Sequence, residues 1–149
     1  MSNDWSFETR QIHVGQEPDA TTGARALPIY QTTAFVFPTA ESAAARFALQ
    51  ELEPIYTRIG NPTQDAVEQR IASLEGGVGA LLLASGQAAT TFSILNLAEA
   101  GDHIVASPSL YGGSQNLLKH TLRKLGIEVS FVADPDDLEG WRAAVKPNT

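Results

Sequence analysis

From Thr63 onward, short apolar runs alternate with segments of helical spacing, and this alternation constrains the fold more than any other feature of the sequence. Strand-length runs occur at residues 80–84, at residues 103–106 and in the alternating segment that starts at Ile127. Strands that alternate with helices form a mostly parallel sheet, and ligands bind beyond the carboxyl ends of its strands. The sequence therefore predicts an α/β fold, and a further strand is expected after Thr149.

The first helical pattern follows Thr63, which is expected to cap its start. Its apolar face consists of Val67, Ile71 and Leu74. The glycine pair that begins at Gly76 is expected to end the helix.

Two later segments also have helical patterns. Residues 87–100 are apolar nearly all round, which predicts a helix packed inside the protein. Residues 114–125 are expected to end before Gly126. Their apolar face consists of Leu118, Leu122 and Leu125.

The last predicted helix starts near Asp134, which is expected to be its N-cap, with Pro135 at the first helical position. The acidic pair Asp136 and Asp137 is interpreted as a complement to the positive end of the same helix. This reading outweighs a role as general acids.

Residues 1–62 contain few periodic segments, and prolines interrupt them repeatedly. We interpret them as an extended arm that lies on another surface, with one short helix near residues 41–50. Residues 63–149 are interpreted as the first part of the α/β domain.

The chain carries 17 acidic and 10 basic residues, a net charge of −7, and contains no cysteine. This balance argues against nucleic acid or an anionic membrane as a partner, and it favours a small metabolite. The absence of cysteine excludes disulfides and thiolate sites and suits a cytoplasmic protein. The three histidines share no metal-binding spacing, so no metal site is expected.

Ser85, Gly86 and Gln87 join a predicted strand to a predicted helix. Free backbone N–H groups at a helix start bind phosphate, and Gly86 allows an anion to approach the backbone. The alternative is an ordinary turn that uses a glycine. Neither a Walker loop nor a GxGxxG motif occurs in the chain.

Tyr56 and Arg58 are two residues apart in the predicted arm, so their side chains are expected to face one target. A phenol beside a guanidinium suits a phosphate, although a lone exposed arginine is often only a solvated charge. Tyr111 follows a predicted strand and precedes two glycines, where its ring could stack on a planar cofactor. The alternative for Tyr111 is a half-buried tyrosine at a turn.

Five sequence blocks together resemble the trans-sulfuration (Cys/Met metabolism) family of pyridoxal-phosphate (PLP) enzymes. The blocks match in order and spacing over nearly the whole chain from Phe7: residues 27–33, 56–63, 74–77, 85–89 and 111–113. The resemblance implies a fold type I PLP-dependent transferase, of which this chain contains the N-terminal arm and the first part of the large domain. Thr57 and Gln87 are similar to the branch that forms L-homocysteine from O-acetyl-L-homoserine and sulfide. Cystathionine γ-synthase, γ-lyase and a non-catalytic oligomerisation module remain alternatives.

The resemblance also implies roles for individual residues. The backbone amides of Gly86 and Gln87 would hold the PLP phosphate, and Tyr56 and Arg58 would reach the phosphate of a neighbouring subunit. Tyr111 would stack on the cofactor ring and assist proton transfer or departure of the leaving group. The family's PLP-bearing lysine lies downstream of Thr149, so this chain alone is expected to be inactive. A homo-oligomer is expected, with dimers that share active sites and assemble into a tetramer.

Overall fold

The computed structural model describes residues 4–149. These residues form two compact units that divide after Leu82, and each is described by itself. The limit between arm and α/β domain at residue 62 was inferred from sequence pattern rather than from contacts, and it stays a prediction.

The first unit begins with helix α1 (Phe7–His13), which is capped by Ser6. Helix α1 was not predicted from the sequence. Seven residues form only a marginal helix by themselves, so α1 depends on tertiary contacts. It packs on helix α3 (Pro62–Glu75). The Arg70 guanidinium of α3 donates through Nε to the carbonyl of the buried Val14, at 2.9 Å.

Helix α2 (Ala40–Phe47) confirms the predicted short helix, shifted slightly toward the N-terminus. The Thr39 side chain accepts from the Ser42 N–H at its start. Shortly after the helix ends, Leu49 adopts a left-handed conformation, with φ of 57°.

Helix α3 is confirmed, but its predicted cap and its predicted buried face are wrong. Asn61 is the N-cap and accepts from the Thr63 N–H, because Pro62 occupies the first helical position. Gly76 ends the helix at a φ of 68°, as predicted. Val67 and Ile71 are exposed, whereas the small Ala66 is the buried residue of α3.

Residues 80–84 do not form the predicted strand. The Leu82 N–H donates a hydrogen bond of 2.7 Å to the Glu68 carboxylate, and Leu81 is 73% exposed. A strand needs a neighbour to pair with, and within residues 4–149 no segment pairs with this one.

The second unit begins with helix α4 (Gly86–Leu95), which is shorter than the predicted 87–100 and is not packed inside. Phe92 is 56% exposed and Leu97, just beyond the helix, is 85% exposed. Helix α4 is apolar nearly all round, as the sequence shows. Its burial would require a second layer of the protein against its outer face, and the described residues form no such layer there.

Strands β1 (His103–Ala106) and β2 (Glu128–Phe131) pair in parallel, with His103 opposite Glu128. The described residues thus contain a small part of the predicted α/β sheet. The crossover between the strands is one helical stretch composed of α5 (Gly112–Asn116), a π-helical segment (Leu117–Thr121) and α6 (Leu122–Lys124). Gly126 follows at a φ of 82°, in agreement with its predicted role.

The core of the second unit lies between this crossover and the sheet. It is formed by Ala106, Leu117, Leu118, Leu122 and Ile127. The predicted face residue Leu125 is instead exposed, because it is the C-cap where α6 ends. The wider π turn places Leu117 on the buried face with Leu122, five residues later.

Helix α7 (Leu138–Ala144) starts later than predicted. Asp137 is its N-cap and accepts from the Glu139 N–H, so the predicted capping by Asp134 is wrong. Asp134 instead accepts from the Asp136 N–H in the preceding turn.

Candidate functional site

The start of α4 presents free backbone donors. The Ser85 side chain accepts from the Ala88 N–H at 3.1 Å, which satisfies that donor. Within residues 4–149, the N–H groups of Gly86 and Gln87 have no acceptor. Together with the positive end of the helix dipole, these donors favour an anion such as a phosphate.

Gly86 leaves space above this helix start. A β-carbon at Gly86 would meet no atom within 4 Å, and the residue does not adopt a left-handed φ. Neither backbone conformation nor protein packing therefore requires glycine here. The space suits a bound group that approaches the backbone.

Tyr111 lies beside the same helix start. A β-carbon on Gly113 would lie 2.6 Å from Nε2 of Gln87 and 2.7 Å from Cε1 of Tyr111, so the two side chains meet over Gly113. Tyr111 is 77% exposed as a residue. It is therefore accessible to a planar ligand rather than half buried at a turn.

Tyr56 and Arg58 come together in the first unit, but not for the predicted reason. Arg58 lies in a turn, closed by a 2.8 Å hydrogen bond from the Ile59 N–H to the Tyr56 carbonyl, rather than in an extended segment. Its guanidinium carbon lies 5.1 Å from the centroid of the Tyr56 ring, which is a cation–π contact. The exposed guanidinium is available to an anion, since the ion pairs of residues 4–149 involve other side chains.

Neighbouring hydrogen bonds fix this turn. Tyr56 bridges to Ala34 in antiparallel fashion, and the Thr57 N–H donates to the Thr33 carbonyl at 2.9 Å. The buried Asn61 side chain donates to the Thr57 hydroxyl at 3.1 Å. The Tyr56–Arg58 pair therefore has a defined backbone support.

Of the predicted site residues, the structure brings Gly86, Gln87 and Tyr111 together in the second unit. Tyr56 and Arg58 form a separate pair in the first unit. Sequence reasoning missed Gly113, although the glycine pair after Tyr111 was a signal of close packing at this point.

Among the carboxyl groups with shifted pKa values are Asp65 and Glu128. Burial, reinforced by the charge of Glu68, raises the pKa of Asp65 beside a first-unit cavity of about 520 Å³. The hydrogen bond from Lys146 lowers the pKa of Glu128.

Two of the three histidines have hydrogen-bond partners, whereas His120 is exposed. Nδ1 of His13 lies 2.6 Å from the Arg25 guanidinium, and the ring of buried His103 lies 2.8 Å from the hydroxyls of Thr149 and Ser130. Among residues 4–149 there is no group of three side chains that could hold a metal ion. In the same range, every helix is too short or too polar to cross a bilayer.

A family model described as Cys/Met metabolism PLP-dependent enzyme matches residues 8–149. The O-acetyl-L-homoserine sulfhydrylase of Corynebacterium glutamicum is 64% identical over 148 residues, which cover 99% of this chain and 34% of that protein. The enzyme of the same name from Leptospira meyeri is 54% identical over 149 residues, which cover 100% of this chain and 34% of that protein.

A solved structure is also similar. It is a Campylobacter jejuni protein described as an O-acetylhomoserine (thiol)-lyase, with N'-pyridoxyl-lysine-5'-monophosphate in its chain. The TM-score is 0.90 at 42% identity, over 98% of this chain and 36% of that chain. The chain thus spans about a third of the length of the curated relatives that it matches.

Proposed function

The chain belongs to the Cys/Met metabolism family of PLP-dependent enzymes, and from this premise we propose that it is part of an enzyme that makes L-homocysteine. The proposed reaction is a γ-replacement on O-acetyl-L-homoserine. The C–O bond to acetate breaks, a C–S bond to sulfide forms, and acetate leaves, with no net oxidation or reduction. The names of the similar proteins support this reaction.

The observation that carries the proposal is the pair of free N–H groups on Gly86 and Gln87 beside the exposed Tyr111 ring. The residues fit PLP, which offers a phosphate to the helix start and a planar ring to the tyrosine. When bound, PLP supplies an electron sink for the carbanion chemistry of the amino-acid substrate.

We assign the roles of the chain's own residues from the family resemblance together with their chemistry. The Gly86 and Gln87 amides bind and orient the phosphate, while Tyr111 packs against the ring and its phenol oxygen holds or moves a proton near the leaving group. Tyr56 and Arg58 bind the PLP phosphate of the neighbouring subunit, to which the guanidinium donates charge-assisted hydrogen bonds. The subunit arrangement, a homo-oligomer with shared active sites, and a cytoplasmic location stay predictions.

We assign no PLP-bearing role to the lysines of the described region. Lys119 and Lys124 belong to the crossover helix, and Lys146 pairs with Glu128 at 2.9 Å. The lysine that carries PLP is proposed to lie outside these 149 residues, so the isolated chain has no turnover. The one-third coverage of the relatives supports this assignment.

The test uses the full-length protein that contains this chain, purified with PLP and hereafter called the full-length enzyme. Supplied with O-acetyl-L-homoserine and sulfide, it is expected to release homocysteine and acetate in equal amounts. Residues 1–149 expressed alone serve as the control and should release neither. Homocysteine release only when cystathionine replaces these substrates, or cystathionine formation with cysteine but no reaction with sulfide, would contradict the proposal.

A further inference from the structure

The Gln115 side chain ties helix α5 to the loop that precedes Tyr111. Its Nε2 donates to the Pro108 carbonyl at 2.7 Å and to the Leu110 carbonyl at 3.2 Å. Its backbone N–H donates to the Tyr111 carbonyl at 3.0 Å. Gln115 therefore donates hydrogen bonds to the backbone at three points of the loop, the carbonyls of Pro108, Leu110 and Tyr111.

The other end of this amide is fixed as well. Oε1 of Gln115 accepts from Nζ of Lys119 at 2.9 Å, and Nζ lies 5.0 Å from the centroid of the Phe131 ring on β2. Carbonyl oxygens need donors and an ammonium needs an acceptor, so only one orientation of the amide satisfies both sides. Lys119 thus fixes the orientation in which Gln115 can hold the loop.

Tyr111 has little support of its own. The residue is largely exposed, and at the N-cap position of α5 its side chain makes no capping hydrogen bond. The position of the phenol therefore depends on the backbone that carries it. Displacement of a reacting group by about 1 Å can lower a rate by about 10²-fold, so this support matters for catalysis.

We propose that Gln115, oriented by Lys119, is a positioning residue for Tyr111. This proposal rests on the proposed function, because it takes Tyr111 as part of the PLP site. Gln115 does not touch substrate or cofactor; it fixes the loop from which Tyr111 reaches them.

The test compares Gln115→Ala with Asn116→Ala in the full-length enzyme. Asn116 is the exposed neighbour on α5, and its side chain makes no recorded hydrogen bond within residues 4–149. Gln115→Ala is expected to lower kcat about 10- to 100-fold, with KM for O-acetyl-L-homoserine and PLP content changed less than about twofold. The visible circular dichroism of bound PLP should change in the same variant. Asn116→Ala should leave all of these values unchanged.

Lys119 provides a second arm if Gln115→Ala does not fold. Lys119→Met removes the donor to Oε1 of Gln115 and should lower kcat, as Gln115→Ala does. Lys119→Arg keeps a donor and should have a kcat close to that of the wild type. Wild-type kcat and dichroism in Gln115→Ala, or equal kcat in the Met and Arg variants, would overturn the proposal.

Tyr111→Ala separates this proposal from the proposed function. If Tyr111→Ala is impaired while Gln115→Ala is fully active, only the positioning role fails. If Tyr111→Ala itself is fully active, the assignment of Tyr111 to the site fails, and the positioning proposal fails with it.

Discussion

A β-carbon on Gly113 would lie 2.6 Å from Nε2 of Gln87, which is closer than real β-carbon contacts come. The same β-carbon would lie 2.7 Å from the Tyr111 ring, so Gly113→Ala should displace the side chains of Gln87 and Tyr111 from their present positions. We expect kcat of the full-length enzyme to fall at least about tenfold. Gly112→Ala is the matched control, because a β-carbon there meets nothing within 4 Å. Similar kcat values for the two variants would contradict the packing role of Gly113.

Substitutions at Tyr111 separate ring stacking from proton transfer. Phe keeps the ring and loses the hydroxyl, so Tyr111→Phe should retain PLP but lose turnover by about 10²–10⁴-fold. Tyr111→Ala should lose both. The measurements are kcat and PLP occupancy; full turnover in the Phe variant would reduce Tyr111 to a stacking surface.

Arg58→Ala should weaken PLP retention by the full-length enzyme. Charge-assisted hydrogen bonds contribute roughly 1.5–3 kcal/mol each, so PLP affinity should fall at least about tenfold. Arg123→Ala is the control, since Arg123 is an exposed guanidinium on α6 with no proposed ligand. PLP content is measured after dialysis, and equal contents would remove Arg58 from the phosphate site.

Gly15→Ala should destabilise the packing of α1 on α3. Gly15 has a φ of 82°, and a β-carbon there would lie 2.1 Å from the Ala66 carbonyl oxygen. Gly23 has a φ of 70° but open space around it, so Gly23→Ala isolates the conformational cost of about 1–2 kcal/mol. We expect Gly15→Ala to cost at least about 1 kcal/mol more, seen as a lower Tm. A smaller loss at Gly15 than at Gly23 would show that the backbones do not approach this closely.

Asp65→Asn should change how stability depends on pH. Burial raises the pKa of Asp65, so the charged form destabilises the fold at neutral pH, and the penalty disappears as pH falls through the raised pKa toward 3.8. The variant should therefore gain Tm over wild type at pH 7 and lose that advantage in acid. Hydrogen bonds from Thr22 lower the pKa of Asp19, so Asp19→Asn should lose Tm at pH 7, and its deficit should shrink as pH falls. The same sign of pH dependence in both variants would contradict this account.

Several local features could be predicted from sequence because they depend on a residue's own conformational preference. Gly76 and Gly126 end their helices with positive φ, as their position after an apolar helical pattern indicated. The parallel pairing of β1 with β2 was predictable for a different reason, because the order of a strand, a crossover helix and a second strand favours a parallel pair. The donors of Gly86 and Gln87 follow from their place at a helix start.

Other features depended on what lies next to a segment. Residues 80–84 have a strand sequence but no pairing neighbour, and α4 has a buried helix's composition without cover on its outer face. Helix α1 is too short to be stable by itself, and it forms because Val14 and Gly15, just after it, contact α3. Burial and strand pairing are properties of two surfaces, and one segment's sequence describes only one of them.

At the site, the sequence by itself determined the chemistry and the tertiary structure decided the geometry. Residue type and order were enough to propose Tyr56, Arg58, Gly86, Gln87 and Tyr111 as candidates, and their roles stay predictions. The contact of Arg58 with Tyr56 comes instead from a turn that Thr33 and Asn61 support, and the meeting of Gln87 with Tyr111 comes from the bare Cα of Gly113. The contacts of Thr33 with Thr57 and of Gln87 with Gly113 join residues far apart in the chain, and such contacts are set by packing rather than by any local preference.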